Sequence, residues 1–178
     1  RSLWEMRNGY ALCTPDGLRA IGKHLRSASP SGMDYLRGAL AIGLHSQVEV
    51  TDTTAPSRHC VTQAYCSALP VAYTRIPVPD WVPFAQLVLE AAYEATLLAA
   101  AEQRHAGGSN TVLLTRLGGG AFGNDARWID AAIDRALVVV ANAGLDVCLV
   151  SYAQTDPHMQ AICDRWASAG CCAQQILN

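Results

Sequence analysis

Residues 111–125 read TVLLTRLGGGAFGND: a short apolar run, three glycines in series, and the start of a new amphipathic pattern. One glycine suffices for a tight turn, so three leave the backbone bare where something has to approach it closely. Reading outward, 111–117 is a strand, apolar on both faces apart from Thr115 and Arg116. Residues 126–143 form a helix with Ile129, Ala132, Ile133, Ala136 and Val140 along one side. Asn142-Ala143-Gly144 ends it. Residues 145–152 (LDVCLVSY) are a second buried strand, and Asp156-Pro157 opens a last helix carrying Ile162 and Trp166.

Upstream, AGGSN (106–110) is a turn. Residues 81–104 are a long helix whose apolar face is expected to be Phe84, Leu87, Val88, Ala91, Ala95 and Leu98. HCVTQAYCSA (59–68) reads as a strand that stops before Pro70. The polar stretch 51–58 is a loop, 36–44 is a short helix passing into a strand around 39–45, and Ser29-Pro30-Ser31-Gly32 is read as a loop. Thr14-Pro15-Asp16 starts a helix that carries Leu18, Ile21 and Leu25. Strands at 59–68, 111–117 and 145–152 alternate with helices, which predicts two successive βαβ units in a parallel sheet. Ligands of such sheets bind beyond the carboxyl ends of the strands, where the glycines lie.

The 178 residues are 51% hydrophobic and 16% charged, enough for one domain with a sizeable core. A net charge of −2, with the cations scattered singly, carries no footprint for nucleic acid or an anionic membrane. Glu90 and Glu94 interrupt the longest apolar stretch, which argues for a soluble helix rather than a membrane span; as an i, i+4 pair they are read as an exposed helix face. The chain opens at Arg1 without a signal peptide, which reads as a processed or cut N-terminus. The seven cysteines are Cys13, Cys60, Cys66, Cys148, Cys163, Cys171 and Cys172; odd in number and without C-x-x-C spacing, they predict reduced thiols in a cytoplasmic protein and no zinc site.

Gly118, Gly119 and Gly120 can turn successive N–H groups inward as an anion nest, backed by the positive end of the following helix. The alternative is a glycine-rich turn that lets strand and helix pack closely. Gly123 and the bulky Phe122 favour a ligand site. A P-loop is excluded because no Gly-Lys-Ser/Thr follows. Gly118, Gly120 and Gly123 spell G-x-G-x-x-G, but a dinucleotide fold also needs an acid at the end of the next strand. That strand ends at Ser151-Tyr152, and Asp146 stands at its beginning.

GGGAFGNDARWIDAAIDRAL followed by LDVCLVSYAQTD resembles the second phosphate loop, helix and last strand of macrodomain-fold ADP-ribosylhydrolases, with poly(ADP-ribose) glycohydrolases nearest at the loop. VTQAYCSALPVAY and LVLEAAYEATLLAA are similar to a bacterial-effector type of macrodomain that removes ADP-ribose from arginine on ubiquitin. The resemblance implies a three-layer αβα fold with a mostly parallel or mixed sheet, and ADP-ribose or an ADP-ribosylated protein, with ubiquitin a candidate carrier, as partner. It implies no cofactor and a cytoplasmic protein, or one delivered into a host cytosol. It puts the diphosphate on the N–H groups of Gly119, Gly120, Ala121, Phe122 and Gly123, Phe122 near the reacting ribose, and Tyr152 against adenine. The sequence departs from the family in lacking the Gly-Gly-Gly/Gln-Glu-Glu signature of the glycohydrolases and the asparagine-rich first loop of other macrodomains. The expectation is therefore a chain without its opening strands, one that binds without necessarily catalysing. The carboxylates to test are Asp52, otherwise a turn residue, and Asp125, otherwise a helix-start acid. Asn124 either hydrogen-bonds a ribose or caps the helix. The alternatives are a non-catalytic ADP-ribose reader and an NAD(P)-binding Rossmann-type enzyme.

Overall fold

A computed structural model describes residues 2–51, 58–152, 154–168 and 173–177, the backbone alone for 168 and 173–177. Two hairpin strands, β1 (Trp4–Arg7) and β2 (Tyr10–Cys13), lead into helix α1 (Pro15–Ser27). Thr14 caps α1 as its hydroxyl accepts from the Gly17 N–H at 3.0 Å. The same grammar repeats at Ser29, whose hydroxyl accepts from the Gly32 N–H at 3.1 Å. Ser29-Pro30-Ser31-Gly32 is therefore not a loop. It is the capped first turn of α2 (Pro30–Gly38), with proline where its missing N–H costs nothing.

Strands β3 (Gly43–Glu49) and β4 (Cys60–Tyr65) pair antiparallel with each other. The 59–68 strand expectation thus survives as a shorter β4, but not as the first strand of a βαβ unit. Its inter-strand hydrogen bonds are met by β3, and most residues of both strands are exposed. Residues 52–57, within the loop expected at 51–58, lie outside the described residues.

Helix α3 (Val78–His105) buries Trp81, Ala85, Leu89, Ala92 and Leu97, a line rotated from the expected one. Of the six residues expected to face the core, Ala91 alone is buried, and Leu98 is 43% exposed. Nor are Glu90 and Glu94 on an exposed face. Glu90 accepts from the Arg37 Nε at 2.6 Å and Glu94 lies 3.5 Å from Arg135, so each carboxylate meets a cation of a neighbouring helix. By length and composition α3 resembles a membrane span, but it packs against α1, α2 and the helix at Ala126–Val139.

From here the chain builds β5 (Thr111–Leu114), α4 (Ala126–Val139), β6 (Asp146–Ser151), α5 (Pro157–Ser168) and β7 (Ala173–Leu177). The three strands lie parallel in the order β5-β6-β7. Two successive βαβ units do form, one element later in the chain than expected, closed by a β7 that the sequence reading did not foresee. Ile129, Ala132, Ile133, Ala136 and Val140 are all buried, as the α4 pattern predicts, together with Val147, Cys148 and Leu149 of β6. Gly144 ends the turn after α4 with a left-handed φ of +65°. β5 stops at Leu114 because the chain is captured by Tyr93 of α3. The Tyr93 hydroxyl donates to the Thr115 carbonyl and accepts from the Leu117 N–H, both at 2.7 Å. Burial pushes that phenol up to about 12.

The chain is a mixed α/β protein. The described strands do not form one macrodomain-like sheet between two helical layers. They form three separate sheets, with β1–β2 and β3–β4 each paired only as a hairpin.

Candidate functional site

The glycine loop leaves the carboxyl end of β5 and is clamped against residues 68–73. Gly118 is left-handed (φ +74°), and a Cβ there would stand 2.3 Å from the Ala68 Cβ. Gly123 is left-handed as well (φ +68°), with its Cβ position 2.8 Å from the Ala72 Cβ. The Phe122 carbonyl accepts from the Ala72 N–H at 2.9 Å. Asn124 is buried, and its amide donates to the Leu69 carbonyl at 2.9 Å and the Gly118 carbonyl at 3.3 Å. It is thus a clamp for the loop rather than a helix cap. The cap of α4 is Asp125, whose carboxylate accepts from the Arg127 N–H at 2.8 Å.

Close packing explains Gly118 and Gly123. It does not explain Gly120, whose Cβ would meet nothing within 4 Å. The Gly119 N–H turns back to the Arg116 carbonyl (3.4 Å) and the Gly123 N–H to the Gly120 carbonyl (3.0 Å). Between them, the N–H groups of Gly120, Ala121 and Phe122 have no acceptor among the described residues. Three consecutive donors without a protein acceptor thus lie together on an exposed tip.

Phe122 is held by two rings that the sequence reading did not connect with it. Its centroid lies 5.7 Å from Tyr10 of β2 and 5.4 Å from Tyr73, with interplanar angles of 87° and 84°. Tyr10 and Tyr73 are themselves 5.3 Å apart. Edge-to-face packing of this kind adds about 0.5–1.5 kcal/mol per pair beyond area burial. It fixes the loop tip while leaving both tyrosines partly exposed.

Beyond β6 lies an open cavity of about 510 Å³ whose wall includes Arg116, Tyr152, Asp156 and His158. Tyr152 is 88% exposed at its rim. Arg116, two residues before the glycines, donates to Asp130 of α4 at 2.6 Å and to the Ala126 carbonyl at 3.2 Å, and its Nε lies 3.6 Å from Asp156. The other oxygen of Asp130 is 2.7 Å from His158 Nδ1. Asp156 accepts from the His158 N–H at 2.8 Å at the start of α5. Sequence reasoning missed this network; its one local signal was Arg116, a charge at the end of an apolar strand.

The catalytic candidates fare differently. Asp125 is paired with Arg127 at 2.7 Å, and hydrogen bonds from the Arg127 side chain and N–H hold its carboxyl down to about 2. Asp52 lies outside the described residues. Among the described cysteines Cys13, Cys148 and Cys163 are buried, Cys66 is half-buried and Cys60 is exposed. Burial pushes the Cys13 thiol up to about 11. Among the described residues no three His, Cys, Asp or Glu side chains gather to hold a metal ion. No family model, curated protein or solved structure matches the chain.

Proposed function

We propose that the chain binds ADP-ribose, with its diphosphate on the N–H groups of Gly120, Ala121 and Phe122, and that it is part of an ADP-ribosylhydrolase acting on protein side chains. The observation that carries this reading is the run of three unpartnered donors at the carboxyl end of β5. The start of α4 adds a favourable dipole for an anion there. Adenine would occupy the cavity beyond β6 against Tyr152, and the distal ribose would lie towards Phe122. An ADP-ribosylated carrier such as ubiquitin and a cytosolic setting belong to the same proposal. Hydrolysis uses water as its co-substrate and requires no redox cofactor.

The second reading, an ADP-ribose reader without turnover, is favoured by Asp125. A carboxylate held at about 2 by Arg127 is a poor proton acceptor near neutral pH, which leaves Asp52 as the carboxylate to test. Parallel calorimetric titrations with ADP-ribose, NAD and ATP separate the nucleotide readings. The proposal expects ADP-ribose to bind most tightly, whereas preference for NAD would favour the dinucleotide reading. Release of ADP-ribose from modified ubiquitin or an arginine-modified peptide, lost on Asp52→Ala, marks a hydrolase. Binding without release marks a reader.

A further inference from the structure

We propose that His158 reads the exocyclic amino group of an adenine-type base held in the cavity beyond β6, and that Asp130 sets the tautomer that makes this possible. The inference rests on the nucleotide reading above and adds the residue that selects the base. An ionised carboxylate can only accept hydrogen bonds, so Asp130, 2.7 Å from His158 Nδ1, keeps the proton of a neutral imidazole on Nδ1. Arg116, 2.6 Å from the other carboxylate oxygen, fixes the orientation of Asp130. Nε2 is then a bare acceptor. It has no partner among the described residues, and His158 belongs to the cavity wall.

An acceptor at that position matches the amino group of adenine and opposes the carbonyl that hypoxanthine carries in its place. Tyr152, on the same wall and 88% exposed, supplies a flat face for either base without distinguishing them. Arg116 lines this cavity, and its carbonyl receives the Gly119 N–H, so the pocket begins at the root of the glycine loop. The diphosphate and the base of one ligand thus fall on neighbouring surfaces.

Calorimetric titration with ADP-ribose and with its hypoxanthine counterpart, inosine diphosphate ribose, tests this. Wild-type protein should favour the adenine ligand by about tenfold, the scale of one hydrogen bond exchanged for two opposed acceptors. His158→Ala should bring the ratio close to one. Asp130→Asn provides a readout that loss of packing would not produce. Arg116 keeps the amide oxygen, the amide nitrogen donates to Nδ1, and the proton moves to Nε2, so the preference should shift towards hypoxanthine. Half-exposed His158 can be replaced without disturbing the core, and thermal melting of each variant verifies the fold. Equal affinity of the wild type for both ligands, or an unchanged ratio in both variants, overturns the role of His158 and leaves the ADP-ribose reading standing. Binding of neither ligand by the wild type overturns both.

Discussion

The two halves of the chain form β-structure by different rules. From β5 onward each strand pairs with the next through a helical crossover, and β6 is buried along most of its length, with Leu149 wholly inaccessible. In the first 65 residues each strand pairs only with its hairpin neighbour, and β1, β3 and β4 stand largely in solvent. A buried parallel strand must be apolar on both faces, whereas a hairpin strand needs only a partner and a turn. The candidate site lies at the carboxyl ends of the parallel strands β5 and β6, of which β6 is the buried one and β5 buries only Val112 and Leu114. The exposed half contributes Tyr10 and, through the segment after β4, the wall against which the glycine loop is clamped.

The largest expected effect separates the halves directly. Leu149→Ala should cost about 2–5 kcal/mol in urea denaturation, as buried leucine truncations do. Val61→Ala in β4, at a position 39% exposed, should stay near 0.5 kcal/mol, the range of surface substitutions. Similar losses at both positions would mean that the hairpin is as deeply anchored as the parallel sheet.

That contrast also explains what was legible in the sequence. The α4 face was readable because its apolar residues recur on one side with charges opposite. α3 is rich in alanine and leucine around its whole circumference and is contacted by α1, α2 and α4, so periodicity could not choose which line is innermost. β7 was missed because AQQIL is short and half polar. The glycine loop announced itself through composition. The Asp130–His158 pair could not, because it joins residues 28 positions apart on two helices.

Within the loop, the next effect sharpens the distinction between glycines kept for packing and glycines kept for a ligand. Gly118→Ala should cost roughly 2–4 kcal/mol, from left-handed strain together with the contact on Ala68. Gly120→Ala, in open space, should change stability by less than about 0.5 kcal/mol. Thermal melts of the two variants decide this, and a large loss at Gly120 would make it a packing glycine after all.

The smallest effect concerns the start of α4. Asp125→Ala should cost about 1 kcal/mol at neutral pH through the lost cap. Because the folded carboxyl lies at about 2, below its ordinary 3.8, its stabilisation is complete above about pH 4 and fades as the pH falls towards 2. The wild type should therefore lose stability across that window more steeply than the variant. Parallel slopes would show that the Arg127 pair does not couple to folding.

The central claim is that the three free N–H groups of the loop hold an anionic ligand, and calorimetric titration of Gly120→Glu with ADP-ribose tests it most directly. The new side chain meets nothing within 4 Å, so the fold should persist while a carboxylate stands where the diphosphate would sit. Gly38→Glu adds the same charge in equally open space at the end of α2 and serves as the control. The account predicts that ADP-ribose binding is abolished by Gly120→Glu and unchanged by Gly38→Glu. Wild-type affinity in the Gly120→Glu protein would contradict it.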